Sequence, residues 1–238
     1  MNITETLRRI PLIGHWLAYD EAKTAISWDT YSLAQLKGFA EFPEFPWTGS
    51  ALRPSAVRLL VNEVTTHRRK SFLELGSGIS TLFLAEAARR HGGSLVSVEQ
   101  DEGWIEVIRG HLQAAGTEQF VRFIHVPVVP RPNDTGVGTW YDTGILSREL
   151  GGARFDLVLV DAPISIKGNR LTRMPAGGFL KDYLTEDFAL FLDDIDRRGE
   201  QKILRQWARD FGWAAKNFWP RSSLAVFRDP SSKPFNIC

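Results

Sequence analysis

Two glycines and five acidic side chains stand at spacings that can bind a ligand and move a proton. Gly76 and Gly78 are two apart in Ser71-Phe-Leu-Glu-Leu-Gly-Ser-Gly-Ile-Ser-Thr81, with Glu74 two residues ahead of the first. Neither glycine carries a Cβ, so the backbone can fold sharply there and a ligand can approach it closely. Glu99 follows Gly76 by 23 residues and ends the run Ser94-Leu-Val-Ser-Val-Glu99. In nucleotide-binding α/β folds an acid about 20 residues on accepts ribose hydroxyls, because a carboxylate can take two O–H bonds. Asp161 closes Phe155-Asp-Leu-Val-Leu-Val, and Asp193 and Asp194 close Asp187-Phe-Ala-Leu-Phe-Leu. Acids so placed attract a cation or take a proton from a hydroxyl. His125 near the end of Phe120-Val-Arg-Phe-Ile-His125 is a candidate general base, with a structural role as the alternative.

The elements that must hold these groups alternate. Phe72, Leu73 and Leu75 lack polar alternation, as in a strand buried on both faces of a parallel sheet, and the period becomes helical through Ile79, Phe83 and Ala87. Strands are expected at residues 94–99, 120–127, 155–161 and 187–194, and helices at 54–64, 101–115 and 197–211. A closing hairpin is expected from Trp213 to Arg228. Asp101 is a candidate N-cap, and Gly116 and Gly212 end their helices. Residues 127–144 and 164–181 are expected to be loops. In the second, Lys167, Arg170, Arg173 and Lys181 suit an anionic group or solvent, and Gly177-Gly178 a hinge. Thr66 to Lys70 is expected to be a solvated turn.

The segment Glu-Leu-Gly-Ser-Gly-Ile-Ser-Thr from Glu74 to Thr81 resembles motif I of the class I S-adenosylmethionine-dependent methyltransferases. The resemblance covers about residues 53–228 and implies a Rossmann-like α/β fold. Such a sheet is mostly parallel and seven-stranded with an antiparallel last strand, helices on both faces and here an N-terminal helical extension. It implies that Glu74, Gly76, Ser77, Gly78, Ser80 and Thr81 bind S-adenosylmethionine, Glu99 its ribose, and that Asp161 lines the same crevice as cofactor ligand or base. Leu-Val-Asp161-Ala-Pro and Leu-Asp193-Asp194-Ile-Asp-Arg resemble bacterial small-molecule and glycan O-methyltransferases. Catechol-type O-methyltransferases place an Asp after the fourth strand and an Asp-Asn pair after the fifth, and this chain is similar with Asp194 where Asn is usual. Asp161, Asp193 and Asp194 are therefore the expected ligands of a divalent cation, Mg²⁺ or Ca²⁺, with Asp161 or His125 as base without it.

Composition narrows the function classes. The 238 residues suffice for one α/β domain, with residues 1–52 expected as a lid or accessory segment and 53–238 as the methyltransferase domain. A net charge of +1 argues against an extended nucleic-acid surface. The resemblance implies a small-molecule or saccharide acceptor, and the aromatic leader allows a homodimer contact. The one cysteine, Cys238, excludes an intramolecular disulfide and a cysteine-built zinc site and suits the cytoplasm. The apolar run Leu7 to Tyr19 is interrupted by Pro11, Gly14 and His15 and is too short to span a bilayer, so it is expected to pack or form an interface. Trp16, Trp28 and Trp47 are expected to be buried in a helical layer, a substrate mouth or dimer contact being the alternatives. A lid is expected within residues 38–52. Two other enzymes on this fold, a nicotinamide-dependent oxidoreductase and an aminopropyl transferase, remain open, as does a non-catalytic cofactor-binding module. Thr81 at the third position of Gly-x-Gly-x-x-Gly weighs against the oxidoreductase.

Overall fold

The computed structural model of the chain describes residues 11–40, 47–131, 136–164 and 171–232, with side chains from residue 15 onward. Residues 41–46 of the expected lid, Lys167, Arg170 and Cys238 lie outside the described residues. Seven helices are described: α1 (Pro11–Lys37), α2 (Pro54–His67), α3 (Ile79–His91), α4 (Glu102–Ala114), α5 (Thr143–Leu150), α6 (Met174–Leu180) and α7 (Arg198–Phe211). Nine strands accompany them: β1 (Ser71–Leu75), β2 (Ser94–Glu99), β3 (Val121–His125), β4 (Val128–Arg131), β5 (Gly138–Tyr141), β6 (Phe155–Val160), β7 (Leu184–Leu192), β8 (Ala214–Asn217) and β9 (Ala225–Arg228).

The main sheet runs β3-β2-β1-β6-β7-β9-β8. β1, β2, β3, β6 and β7 pair in parallel, and β9 lies antiparallel between β7 and β8. The central strands are buried on both faces, which is why their sequences do not alternate. Phe72, Leu157, Leu159 and Phe191 pack into the layer of α2, α3 and α4, while Leu73, Leu75, Val158, Val160 and Leu190 pack into that of α5, α6 and α7. β1 has β2 on one side and β6 on the other, so the chain reverses direction across the sheet there, and the carboxyl ends of β1, β2, β6 and β7 meet at one edge. Ligands bind outside such a switch point in open α/β sheets.

Four features differ from the sequence expectations. The segment 127–144 is not only loop: β4 and β5 form an antiparallel pair and α5 follows, capped by the Asp142 carboxylate accepting from Ile145 N–H. Pro130 is tolerated because a two-stranded pair has only edges. Gly177 and Gly178 lie inside α6 rather than at a hinge, and a Cβ on Gly177 would stand 2.6 Å from Trp207 Nε1, so glycine there admits the indole. Arg69 is buried rather than solvated: Glu63 lies 2.9 Å from its Nε and Asp187 3.1 Å from its Nη2, with Arg228 on the other Glu63 oxygen. Trp16 and Trp47 are 64% and 37% exposed, against the expected burial. On α1 the described side chains bury only Ser32 and Leu36, and Asp29 ties the helix to Arg53 Nε at 2.9 Å and Ser55 N–H at 3.1 Å. Among the described residues no helix is long and apolar enough to cross a membrane.

Candidate active site

The glycine turn between β1 and α3 forms one wall of a cavity of about 640 Å³. Gly76 donates its N–H to Val98 O at 2.8 Å, its φ is +99°, and a Cβ on it would lie 2.8 Å from Ala162 Cβ. Left-handed backbone and close strand contact together require glycine at that position. Gly78 has extended backbone, φ −178°, and a Cβ there would meet nothing within 4 Å. The fold itself does not need its bareness, which leaves the space beside it open to a ligand.

Beneath this turn Glu74 is fully buried and accepts from Ser80 Oγ at 2.9 Å, Ser97 Oγ at 2.7 Å and Thr81 Oγ1. Thr81 Oγ1 in turn accepts Gly78 N–H at 2.9 Å. Burial pushes the Glu74 carboxyl up to about 7 despite these bonds. Glu74 and Thr81, expected to bind the cofactor, hold the turn from below and are not among the residues lining the cavity. Gly76, Ser77, Gly78 and Ser80 do line it.

Glu99, at the end of β2, accepts Ser77 N–H at 2.9 Å on Oε2 and Gln100 and Asp101 N–H at 2.7 and 3.0 Å on Oε1. Of its four lone pairs about one, on Oε2, remains, so it offers fewer acceptors than the two expected for a ribose diol. Asp101 caps α4 through Trp104 N–H, and the Trp104 indole N–H donates to Ser77 O at 2.8 Å, which sets its ring on the cavity wall. His125 does not reach the cavity. β3 is the sheet's edge strand, and the exposed imidazole Nε2 sits 3.0 Å from Gln100 O. The base role expected of it is not supported by this position.

Beyond the ends of β6 and β7 the carboxylates of Asp161, Asp193 and Asp194 converge, with one oxygen of each within 4.8 Å of the others. Adjacent strand residues face opposite ways, but Asp194 has φ +59°, so the chain has already turned beyond β7 and both acids reach one space. Arg173, just before α6, enters that space. Its Nη2 lies 3.1 Å from Asp161 Oδ1 and 2.9 Å from Asp194 Oδ2, and its Nη1 donates to the Asp193 carbonyl at 3.1 Å. Arg197 Nη1 adds a contact of 2.7 Å to Asp194 Oδ2, and Ser223 Oγ donates to Asp193 Oδ1. Burial raises the Asp161 and Asp193 carboxyls above their usual range, while Arg173 pulls Asp161 back down. An oxygen trio of this kind suits Mg²⁺ by chemistry, but a guanidinium bonded to Asp161 and Asp194 at once fills the place a shared cation would take. The residues present do not fit the cation.

Thr48 to Arg53 and Trp219 also line the cavity. Arg53 and Trp219 approach to 5.9 Å, guanidinium to ring centre. The sequence offers Arg173 only as part of a basic loop suited to an anionic group or solvent, and gives no site role to Arg197, Trp104 or Trp219. The one available signal was Trp104, directly after the Asp101 cap and hence beside Glu99.

Residues 73–195 match the family described as methyltransferase domain. No curated protein matches the chain. Cofactor-bound Rv0187 from MTB shares the fold at 17% identity and TM-score 0.57, over 88% of this chain and 89% of that one. The S-adenosylhomocysteine-bound methyltransferase PaMTH1 from Podospora anserina does so at 14% identity and TM-score 0.57, over 93% and 97%. The O-methyltransferase TomG from Streptomyces achromogenes, in complex with S-adenosylmethionine, does so at 19% identity and TM-score 0.55, over 86% and 89%. With the family match covering more than half of the chain, on a sheet of this order and with this turn at its switch point, the chain belongs to the methyltransferase-domain family of class I S-adenosylmethionine-dependent enzymes.

Proposed function

We propose that the chain transfers a methyl group from S-adenosylmethionine to a hydroxyl of a small molecule or saccharide. The observation that carries this proposal is a single cavity lined by the Gly76–Gly78 turn, by Glu99 at the end of β2 and by Asp161 at the end of β6. Bound there, S-adenosylmethionine supplies an electrophilic methyl carbon whose bond to sulfur breaks as the acceptor oxygen bonds to it. The bare Gly78 and the last lone pair of Glu99 hold the cofactor end, and Trp104 walls it from solvent. Asp161 accepts the acceptor hydroxyl's proton, a task helped by burial, which raises its carboxyl above the usual range. No cation takes part, since Arg173 lies between the carboxylates expected to bind one. TomG, named an O-methyltransferase, supports oxygen as the acceptor atom.

Residues 1–52 belong to the same proposal as a lid and accessory segment, supported by Thr48 to Leu52 on the cavity wall. A homodimer contact on α1 is supported by the exposed Trp16, Tyr19 and Ile26, and a cytoplasmic location by the single cysteine, Cys238. Calorimetric titration with S-adenosylhomocysteine and with NAD tests the cofactor, and a methyl-transfer screen over sugars, phenols and acids tests the acceptor. Binding of NAD in place of S-adenosylhomocysteine would reject the proposal.

A further inference from the structure

We infer that Arg173 takes the place of the divalent cation at the carboxylate cluster, so that the site positions its acids with a guanidinium of its own chain and binds no metal. The inference concerns the site proposed above for methyl transfer. Three placements carry it. One guanidinium nitrogen, Nη2, lies within 3.1 Å of Asp161 Oδ1 and 2.9 Å of Asp194 Oδ2, the two acids that close β6 and β7. Nη1 of the same group donates to the Asp193 carbonyl at 3.1 Å and Nη2 also donates to the Asp161 carbonyl, so Arg173 is fixed to both strand ends and cannot swing aside without losing four contacts at once. The side chain is 2% exposed, so water does not screen it from these oxygens.

A cation added among the same oxygens would stand a few ångströms from a buried positive charge, where repulsion is strong. Two of the three acids already have a cationic partner from the chain: Arg173 reaches Asp161 and Asp194, Arg197 reaches Asp194, and Asp193 turns Oδ1 to the Ser223 hydroxyl instead. Arg173 is thus a positioning residue: it holds Asp161 and Asp194 at a fixed separation with oxygens toward the cavity, which is the ordering a metal would otherwise supply.

The test is titration of the full chain with Mn²⁺, free Mn²⁺ being read by electron paramagnetic resonance. Wild type should leave the signal unchanged, whereas Arg173→Met, uncharged and of similar length, should take up one Mn²⁺ with affinity at least about tenfold above wild type. That uptake should vanish in Arg173→Met/Asp194→Asn. A merely structural arginine would not confer metal affinity on removal. Stoichiometric Mn²⁺ uptake by wild type that is lost in Asp194→Asn would overturn the inference, and so would a folded Arg173→Met that leaves Mn²⁺ free. Circular dichroism establishes folding; if Arg173→Met does not fold, the wild-type titration decides alone. Calorimetry with S-adenosylhomocysteine on the same samples reports the cofactor site separately, so failure there and failure at the acid cluster are read on different signals.

Discussion

At the β1–β2 end of the cavity Glu99 is held by three backbone N–H groups and Glu74 by three hydroxyls, whereas at the β6–β7 end Asp161 and Asp194 face the guanidiniums of Arg173 and Arg197. Dipoles fill a carboxylate's lone pairs and leave its charge in place, while a guanidinium offsets that charge. On the first side Glu99 and Asp101 line the cavity with no cation bonded to Glu99, which suits a sulfonium. On the second side two guanidiniums offset Asp161 and Asp194, which suits an uncharged hydroxyl. On the proposed reading, the two sides of the cavity differ in how their acids are partnered, not in how many acids they have.

The strongest way to break this contrast is at Asp161. Asp161→Ala should lower methyl transfer about 10²- to 10⁴-fold, the usual worth of a positioned base, with S-adenosylhomocysteine affinity retained. His125→Ala should leave the rate unchanged, its ring being exposed on the edge strand. Initial rates of S-adenosylhomocysteine release measure both. A rate indifferent to Asp161, or one that falls with His125, would reverse the assignment of the base.

The pH dependence of stability sharpens the other end. The folded Glu74 carboxyl is raised from 4.5 to about 7 by burial, so the stability tied to its protonation is fully present below about 4.5 and is lost as pH rises through about 7. Asp161, Asp193, Asp156 and Glu200 are raised by burial too and act in the same direction. Glu74→Gln isolates one group. Its unfolding free energy should change less between pH 5 and 8 than that of wild type, the difference amounting to on the order of 3 kcal/mol, read by denaturant titration at each pH. Parallel curves for the two proteins would show that dipoles alone hold this carboxylate charged.

Legibility in the sequence follows the same division. The glycine turn and Glu99 were readable because β1, α3 and β2 are consecutive and the groups that set them are backbone, fixed by strand-turn-helix geometry. Asp161 and Asp194 were readable as strand-end acids, but Arg173 was not, since its partners lie on two other segments and a basic residue in a loop carries no local period. Arg69 was mistaken for a solvated charge for the same reason, its partner Asp187 being far along the chain. β4, β5 and α5 were hidden by Pro130 and Gly138, which mark loops by local rules yet are tolerated at the edges of a two-stranded pair.

A third way to sharpen the contrast is Glu99→Ala. It should weaken S-adenosylhomocysteine binding by about 1.5 to 3 kcal/mol, the cost of one lost charge-assisted hydrogen bond, or roughly tenfold to a hundredfold. Calorimetry measures this directly. An unchanged dissociation constant would remove the ribose from Glu99 and with it the claim that a dipole-held acid serves the cofactor.

The smallest expected effect separates the two glycines. Gly76→Ala forces a Cβ onto left-handed backbone and against Ala162 Cβ, so it should destabilise the fold and thereby lower binding indirectly. Gly78→Ala meets no protein atom within 4 Å and sits on extended backbone. Its stability should change by under about 1 kcal/mol, the ordinary difference between glycine and alanine ahead of a helix. Its new methyl nevertheless projects into the space that the cofactor would fill. Thermal melts and calorimetry on the same preparation give both quantities: unchanged melting with weakened S-adenosylhomocysteine binding is the expected pair for Gly78→Ala. Unweakened binding in that variant would mean that the cofactor does not approach the turn, and that the open space beside Gly78 belongs to the acceptor instead.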